Sequence, residues 1–338
     1  MSNSGIWMLV ATATAAMLSA VLIRIIRPLL LKHALARPNA RSSHRLPTPQ
    51  GAGIAVIAAT LAVAGAIIAG VDTSGAQFPI AIFGTTLFMA VVGFADDLRS
   101  MPVVTRLALQ AAAVAAILLA APADLRIVPA VPLWIERGLL LLAGLWFVNL
   151  VNFMDGLDWM TVAEVVPITA AMIVLGLTGE FPQSPSILAA ALLGALIGFA
   201  PFNRPVATIF LGDVGSLPIG LLLGWGLLQL AWHQQITAAL LLPLYYLTDA
   251  TLTLLRRIAR GEPFWTGYRS HFYQRATDNG LSVVGVVSAV FLLNLVLAAL
   301  AIASTRTQSS AIHAALFIAG AGAVAFLLYR FSQRHSPK

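Results

Sequence analysis

The chain has no cysteine among its 338 residues, which rules out disulfides and thiolate-held metals and leaves the redox compartment open. It is also poor in charge. Asp, Glu, Lys and Arg make up 10% of the residues, where soluble domains carry roughly 25%. With 59% hydrophobic residues, the polar surface cannot cover a soluble globule of this size. Composition therefore predicts an all-α, polytopic membrane helix bundle forming one domain over 1–338. The net charge of +7 does not argue for nucleic acid, because in such a chain the placement of charges matters more than their sum. Anionic lipid headgroups and phosphorylated substrates are its fitting counterparts.

What the chain does have is long apolar runs. A span needs about 20 apolar residues to cross roughly 30 Å of hydrocarbon. On that rule eleven spans are expected, at 5–30, 51–70, 78–95, 105–121, 133–151, 161–178, 187–202, 216–232, 236–255, 281–303 and 311–329. No Lys or Arg precedes the first run, so it reads as a retained span rather than a secretory signal. Seventeen of the twenty basic residues fall on one side of this map; Arg126, Arg137 and Arg306 fall on the other. Since Lys and Arg concentrate in cytoplasmic loops, the N-terminus is expected outside and the C-terminus in the cytoplasm.

The polar motifs all land on the expected cytoplasmic side, in loops near 31–50, 96–104, 152–160, 203–215 and 256–280. Asp96-Asp97 closes an apolar run, where adjacent like charges are costly unless a cation shares them. In N-L-V-N-F-M-D-G-L-D-W-M, Asn149, Asn152 and Asp155 recur every three residues and Asp158 follows. Capping a helix needs one such residue, and here there are four. Amides and carboxylates together suit a hydrated Mg²⁺ and a base or sugar. Asp213 stands between glycines in F-L-G-D-V-G-S, ahead of a helix expected to begin at Ser216, whose N-terminus would favour phosphate. In the fifth loop, Arg269 and His271 are the expected anion contacts. Asp249, inside the ninth span, should face the bundle, either supporting the site or pairing with an arginine. Glu164 is open in the same way.

Taken in order, R-S-S-H-R-L-P-T-P-Q-G-A-G, G-F-A-D-D, N-L-V-N-F-M-D-G-L-D, F-L-G-D-V-G-S and R-S-H-F-Y-Q resemble the polyprenyl-phosphate N-acetylhexosamine-1-phosphate transferases, a bacterial family 4 of glycosyltransferases. The resemblance covers Arg41 to Gln274. It implies a Mg²⁺-dependent enzyme, with Mn²⁺ as an alternative ion. Such an enzyme moves a sugar-1-phosphate from a UDP-sugar to undecaprenyl phosphate at the cytoplasmic face of the inner membrane and releases UMP. It implies catalytic roles for Asp96, Asp97, Asp213 and His271, and metal ligation by Asp213 with Asp155. Substrate contacts would come from His44, Asn149, Asn152, Asp155, Asp158, Phe210 and Arg269. A homodimer is suggested by analogy alone.

Departures from the family pattern are Gln50 and Ala52, where Arg and Gly are common, and Trp159, where Gly usually stands and which could narrow the pocket beside Asp158. The fifth loop has a single His271 flanked by Tyr268, Tyr273 and Gln274. That argues against the branch acting on UDP-N-acetylmuramoyl-pentapeptide and for a branch that starts O-antigen or related surface glycans with N-acetylglucosamine. A multispan transporter, the rival from another class, would spread its ionisable groups through membrane depth.

Overall fold

The computed structural model describes residues 3–36, 47–71, 79–262 and 270–334. Its helices are α1 (Asn3–His33), α2 (Gly53–Val71), α3 (Ile80–Leu98), α4 (Val103–Ala120), α5 (Leu133–Met154), α6 (Met160–Leu177), α7 (Gln183–Phe199), α8 (Asp213–Trp232), α9 (Ile236–Leu241), α10 (Leu244–Ala259), α11 (Phe272–Asp278), α12 (Val283–Ser304) and α13 (Ser310–Ser332). A two-residue ribbon, β1 (Leu35–Ala36) against β2 (Thr48–Pro49), is the exception to an all-helical chain. Nine of the described helices are long and apolar enough to cross a membrane, as expected of an integral membrane protein.

Each expected span corresponds to a helix, with two qualifications. The seventh, α7, has 17 residues, which is short for a crossing. The ninth is two helices, because Pro243, which has no N–H to continue the ladder, separates α9 from α10.

Small residues set the packing. Lipid is as apolar as leucine, so helices in a membrane associate through close van der Waals contact rather than hydrophobic segregation. A Cβ at Gly194 or Gly198 of α7 would sit 2.1 or 2.3 Å from the carbonyl oxygen of Thr12 or Ala16. On the facing side of α1, Ala11, Ala15 and Ser19 repeat every four residues and are buried. Outward-facing Met17, Val104, Leu119 and Ile318 are exposed, as a lipid-facing surface requires. The interior is occupied by α8, on which Val214 to Leu223 is continuously buried.

The approach of α8 to its neighbours positions the site. A Cβ at Gly53 of α2 would lie 2.3 Å from the Cα of Gly215, and one at Gly93 of α3 would lie 2.2 Å from the backbone oxygen of Asp213. These glycines let α2 and α3 touch the first turn of α8 backbone to backbone. At the opposite end of the bundle the loops are latched. The Arg126 guanidinium pairs with the buried Glu136 at 2.8 Å, and Arg137 lies over the Trp232 ring at 5.2 Å from its centroid.

Candidate active site

The described residues of the five sequence motifs meet at one end of the bundle, and two of the motifs build a single piece of backbone. The amides of Gly51 and Ala52 donate to the carbonyl of Phe210 (3.1 and 3.0 Å), and Gly53 donates to Leu211 (2.9 Å). The carbonyls of F-L-G-D thereby satisfy the unpaired N–H groups at the start of α2. The Phe210 amide in turn donates to Pro49 (2.8 Å). Phe210 is half-buried in this seam.

Gly212 then turns the chain into α8 with φ +79°, a conformation that glycine adopts without penalty. A Cβ there would also come within 2.6 Å of the Asp97 carboxylate. Asp97 crosses from the last turn of α3 to cap α8: it accepts the amides of Asp213 (2.9 Å) and Val214 (3.0 Å), and it takes a short hydrogen bond from the Gln50 side chain. The helix starts at Asp213 rather than at the expected Ser216, because its cap arrives from another helix. Its positive end therefore faces Asp97.

Asp96 points elsewhere. It accepts the Met101 amide (2.6 Å) and the Arg106 guanidinium (3.0 Å), which folds the start of α4 back onto α3. Its carboxyl also lies within hydrogen-bonding reach of Asp213. Asp213 receives the side-chain amide of Asn152 at 2.7 Å, and the same amide reaches the Ser216 hydroxyl at 2.9 Å. Asp213 thus faces Asp96 and Asp97, two like charges, with a neutral amide as donor. That arrangement is expensive unless a cation joins it.

The central motif divides its labour. Asp155 follows the end of α5, where Thr161 donates a short hydrogen bond to it. Burial, with Asp97 and Asp158 as like-charged neighbours, pushes its pKa up to about 6, against the partial relief that Thr161 provides. Asp158 accepts the Ala207 amide at 3.0 Å, tying the motif to the segment that leads into Phe210. Asn149 does not point with Asn152. Its buried amide donates to Gln110 on α4 (2.6 Å) and to the Leu145 carbonyl (2.8 Å), so it clasps α4 to α5 within the bundle.

Trp159, expected beside a pocket at Asp158, is held by two hydrogen bonds. It holds φ +65° at the start of α6, its amide donates to Asn203 (2.7 Å), and its indole N–H reaches the Ala200 carbonyl (2.7 Å). The indole is a tether to the 200–209 segment.

From the fifth motif, His271 heads α11, and Tyr273 donates through its hydroxyl to the Phe153 carbonyl at 3.2 Å, next to the end of α5. Gly156 makes room for it, since a Cβ there would stand 2.1 Å from that hydroxyl. Among the described residues, Asp249 bonds to His271 and to backbone amides rather than to an arginine. Glu164 lies apart from these groups and accepts the Asn294 amide at 2.6 Å between α6 and α12. His44, Tyr268 and Arg269 fall outside the described residues.

The donor set of Asp213, Asp155 and Asn152 is all hard oxygen and amide, which suits Mg²⁺. Among the described residues no group of three or more Asp, Glu or His side chains is gathered as a closed metal site. The signal for Asp97 as a cap and Gln50 as its partner was absent from the sequence. Local pattern reveals only that Asp97 ends a helix.

The chain is thus a membrane helix bundle with a carboxylate-rich cluster assembled from separated loops at one end. Residues 79–231 match the model of glycosyl transferase family 4, so the family resemblance read from the motifs is borne out. A probable undecaprenyl-phosphate N-acetylglucosaminyl 1-phosphate transferase of Bacillus subtilis is 26% identical over 92% of this chain and 88% of its own length. A decaprenyl-phosphate N-acetylglucosaminephosphotransferase of Mycobacterium leprae is 27% identical over 77% of this chain and 74% of its own. A phospho-N-acetylmuramoyl-pentapeptide-transferase of Enterococcus faecalis is 36% identical, but over only 39% of this chain and 40% of its own.

Proposed function

We propose that the protein transfers N-acetylglucosamine-1-phosphate, or a related N-acetylhexosamine phosphate, from its UDP derivative to undecaprenyl phosphate. The products are a lipid diphosphate sugar and UMP, at the start of a surface polysaccharide such as O-antigen. The observation that carries this reading is the meeting of Asp213, Asn152, Asp96 and Asp97 at the first turn of α8, in a chain similar over most of its length to relatives that bear polyprenyl-phosphate N-acetylglucosamine names. The peptidoglycan reading is disfavoured by the partial coverage of the pentapeptide transferases and by the single histidine of the fifth motif. The distribution of basic residues supports a site on the cytoplasmic face of the inner membrane.

The chemistry is a displacement at phosphorus. A lipid phosphate oxygen bonds to the phosphorus bearing the sugar, and the bond from that phosphorus to the bridging oxygen breaks, releasing UMP. Both substrates are anions, and each charge pair at about 4 Å costs on the order of 4 kcal/mol at an effective dielectric near 20. Mg²⁺ held by Asp213 and Asp155 would supply the charge neutralisation on which phosphoryl transfer mostly depends. Asn152 orients the Asp213 carboxylate. Asp97 fixes where that carboxylate stands by holding its backbone. The lipid phosphate, with a second pKa near 6, is largely dianionic at pH 7 and attacks directly without a general base. Trapping a labelled sugar-phosphate on the protein in the absence of lipid would contradict direct attack.

The test is UMP release by purified protein from UDP-N-acetylglucosamine and undecaprenyl phosphate with Mg²⁺, lost in EDTA and in Asp213→Asn. No release by the wild type with any member of a UDP-sugar panel would refute the reading.

A further inference from the structure

Asp249 is fully buried on α10, and its carboxylate accepts five hydrogen bonds from the described residues. Oδ1 takes the Phe272 amide (3.0 Å), the Thr253 hydroxyl (3.3 Å) and Nδ1 of His271 (3.3 Å). Oδ2 takes the Tyr245 hydroxyl (3.1 Å) and the Tyr273 amide (3.3 Å). Seating α11 alone would not call for a charge, since neutral Ser, Thr or Asn cap helices as well as Asp does. A buried carboxylate is an expensive substitute for them. What it adds is an obligate acceptor facing the imidazole. Opposite carboxylate oxygens that act as acceptors, Nδ1 carries the proton and Nε2 is the ring's acceptor.

A second constraint holds the ring. His271 stacks on Tyr273 with centroids 5.7 Å apart and planes 25° from parallel, and Tyr273 is bonded to the Phe153 carbonyl just ahead of Asp155. The imidazole is therefore gripped at Nδ1 by α10 and on one face by a residue anchored to α5. It remains only 13% exposed. Such a grip makes sense for a group that must present one nitrogen to a ligand with little freedom.

We propose that Asp249 is the positioning residue of His271, fixing its tautomer and orientation so that Nε2, left as an acceptor, receives a hydrogen bond from a hydroxyl or N–H group of the sugar nucleotide. The proposal rests on the transferase reading above. It assigns Asp249 no contact with substrate; its effect passes through His271.

The test is a double-mutant cycle on the full-length protein, comparing wild type, Asp249→Asn, His271→Ala and the double variant by UMP release, with melting temperature measured alongside. Asp249→Asn should lower kcat/KM about 10- to 100-fold, as loss of the partner that orients a histidine does. The loss should fall on whichever of kcat or KM His271→Ala changes. In the His271→Ala background Asp249→Asn should change kcat/KM by less than about 2-fold, the scatter of independent sites, while its effect on melting temperature persists in both backgrounds. A purely structural role predicts instead equal kinetic losses in both backgrounds, or losses in different parameters, and either result overturns the proposal. If Asp249→Asn does not fold, Asp249→Glu takes its place in the cycle: it keeps the charge but displaces it, and must likewise act only when His271 is present. A wild type that releases no UMP removes the transferase reading and this role with it; an active wild type with additive losses removes this role alone.

Discussion

Asp97 holds Asp213 by its backbone. The carboxylate at the end of α3 accepts the amide of Asp213 at 2.9 Å and that of the next residue, Val214, at 3.0 Å, across 116 positions of sequence. The residue proposed to bind metal is thus placed by a neighbouring acid that has spent both its oxygens doing so.

Asp97→Ala should therefore cost stability as well as activity. It removes a helix cap worth about 1–2 kcal/mol and leaves Asp213 without its anchor. Asp97→Asn keeps the shape and one acceptor, so its melting temperature should fall less than that of Asp97→Ala while its UMP release still drops by about 100-fold or more. Thermal unfolding in detergent beside the release assay checks the split.

Gly93→Ala should be damaging far beyond its size. Its Cβ would stand 2.2 Å from the Asp213 carbonyl oxygen, a backbone atom that cannot swing away. Forcing α3 from α8 costs about 1–3 kcal/mol by the usual scale of overpacking. Gly84→Ala on the same helix meets nothing within 4 Å and should be neutral or slightly stabilising. Equal melting temperatures for the two variants would contradict the close approach.

The pH dependence follows from Asp155. Its pKa of about 6, raised chiefly by burial, lies above its unfolded value. Between about pH 4 and pH 6 the folded protein keeps a proton that the unfolded chain has released. The stability this proton provides is complete below about pH 4 and is lost as pH rises through 6. In EDTA, melting temperature should fall across that window in the wild type, and Asp155→Asn should remove this contribution. Activity should run the other way, rising as the carboxylate ionises near pH 6. A wild type and an Asp155→Asn variant with the same melting-temperature slope would refute the assignment.

Trp159 separates strain from contact. A non-glycine residue in the left-handed region costs roughly 1–2 kcal/mol, and here the indole tether to Ala200 offsets it. Trp159→Ala loses the tether and keeps the strain, whereas Trp159→Gly loses both. The glycine variant should melt above the alanine variant, and neither should alter the order of preference across a UDP-sugar panel. A changed preference would put the ring in the sugar pocket after all.

Much of the fold was legible because a run of about 20 apolar residues is a local property that the membrane reads directly. Where a proline broke the pattern, at Pro243, the expected ninth span became two helices. The site was legible in outline, since Asp96, Asp97, Asn152, Asp155, Asp158 and Asp213 interrupt apolar runs at the ends expected to share one face. Roles were harder to read. Asn149 and Asn152 differ by three residues and look alike in sequence, yet one clasps α4 and the other meets Asp213.

Hydropathy and the placement of charge act segment by segment, so a helical membrane chain with its polar motifs gathered at one end could be read without any coordinates. Long-range packing is what brings Gln50 and Asp97 to the start of α8, Trp159 to the 200–209 segment and Asp249 to His271. Those pairings depend on which helix backbones come within reach of each other, and that is settled by contacts such as Gly53 with Gly215 and Gly93 with Asp213, between residues far apart in the chain.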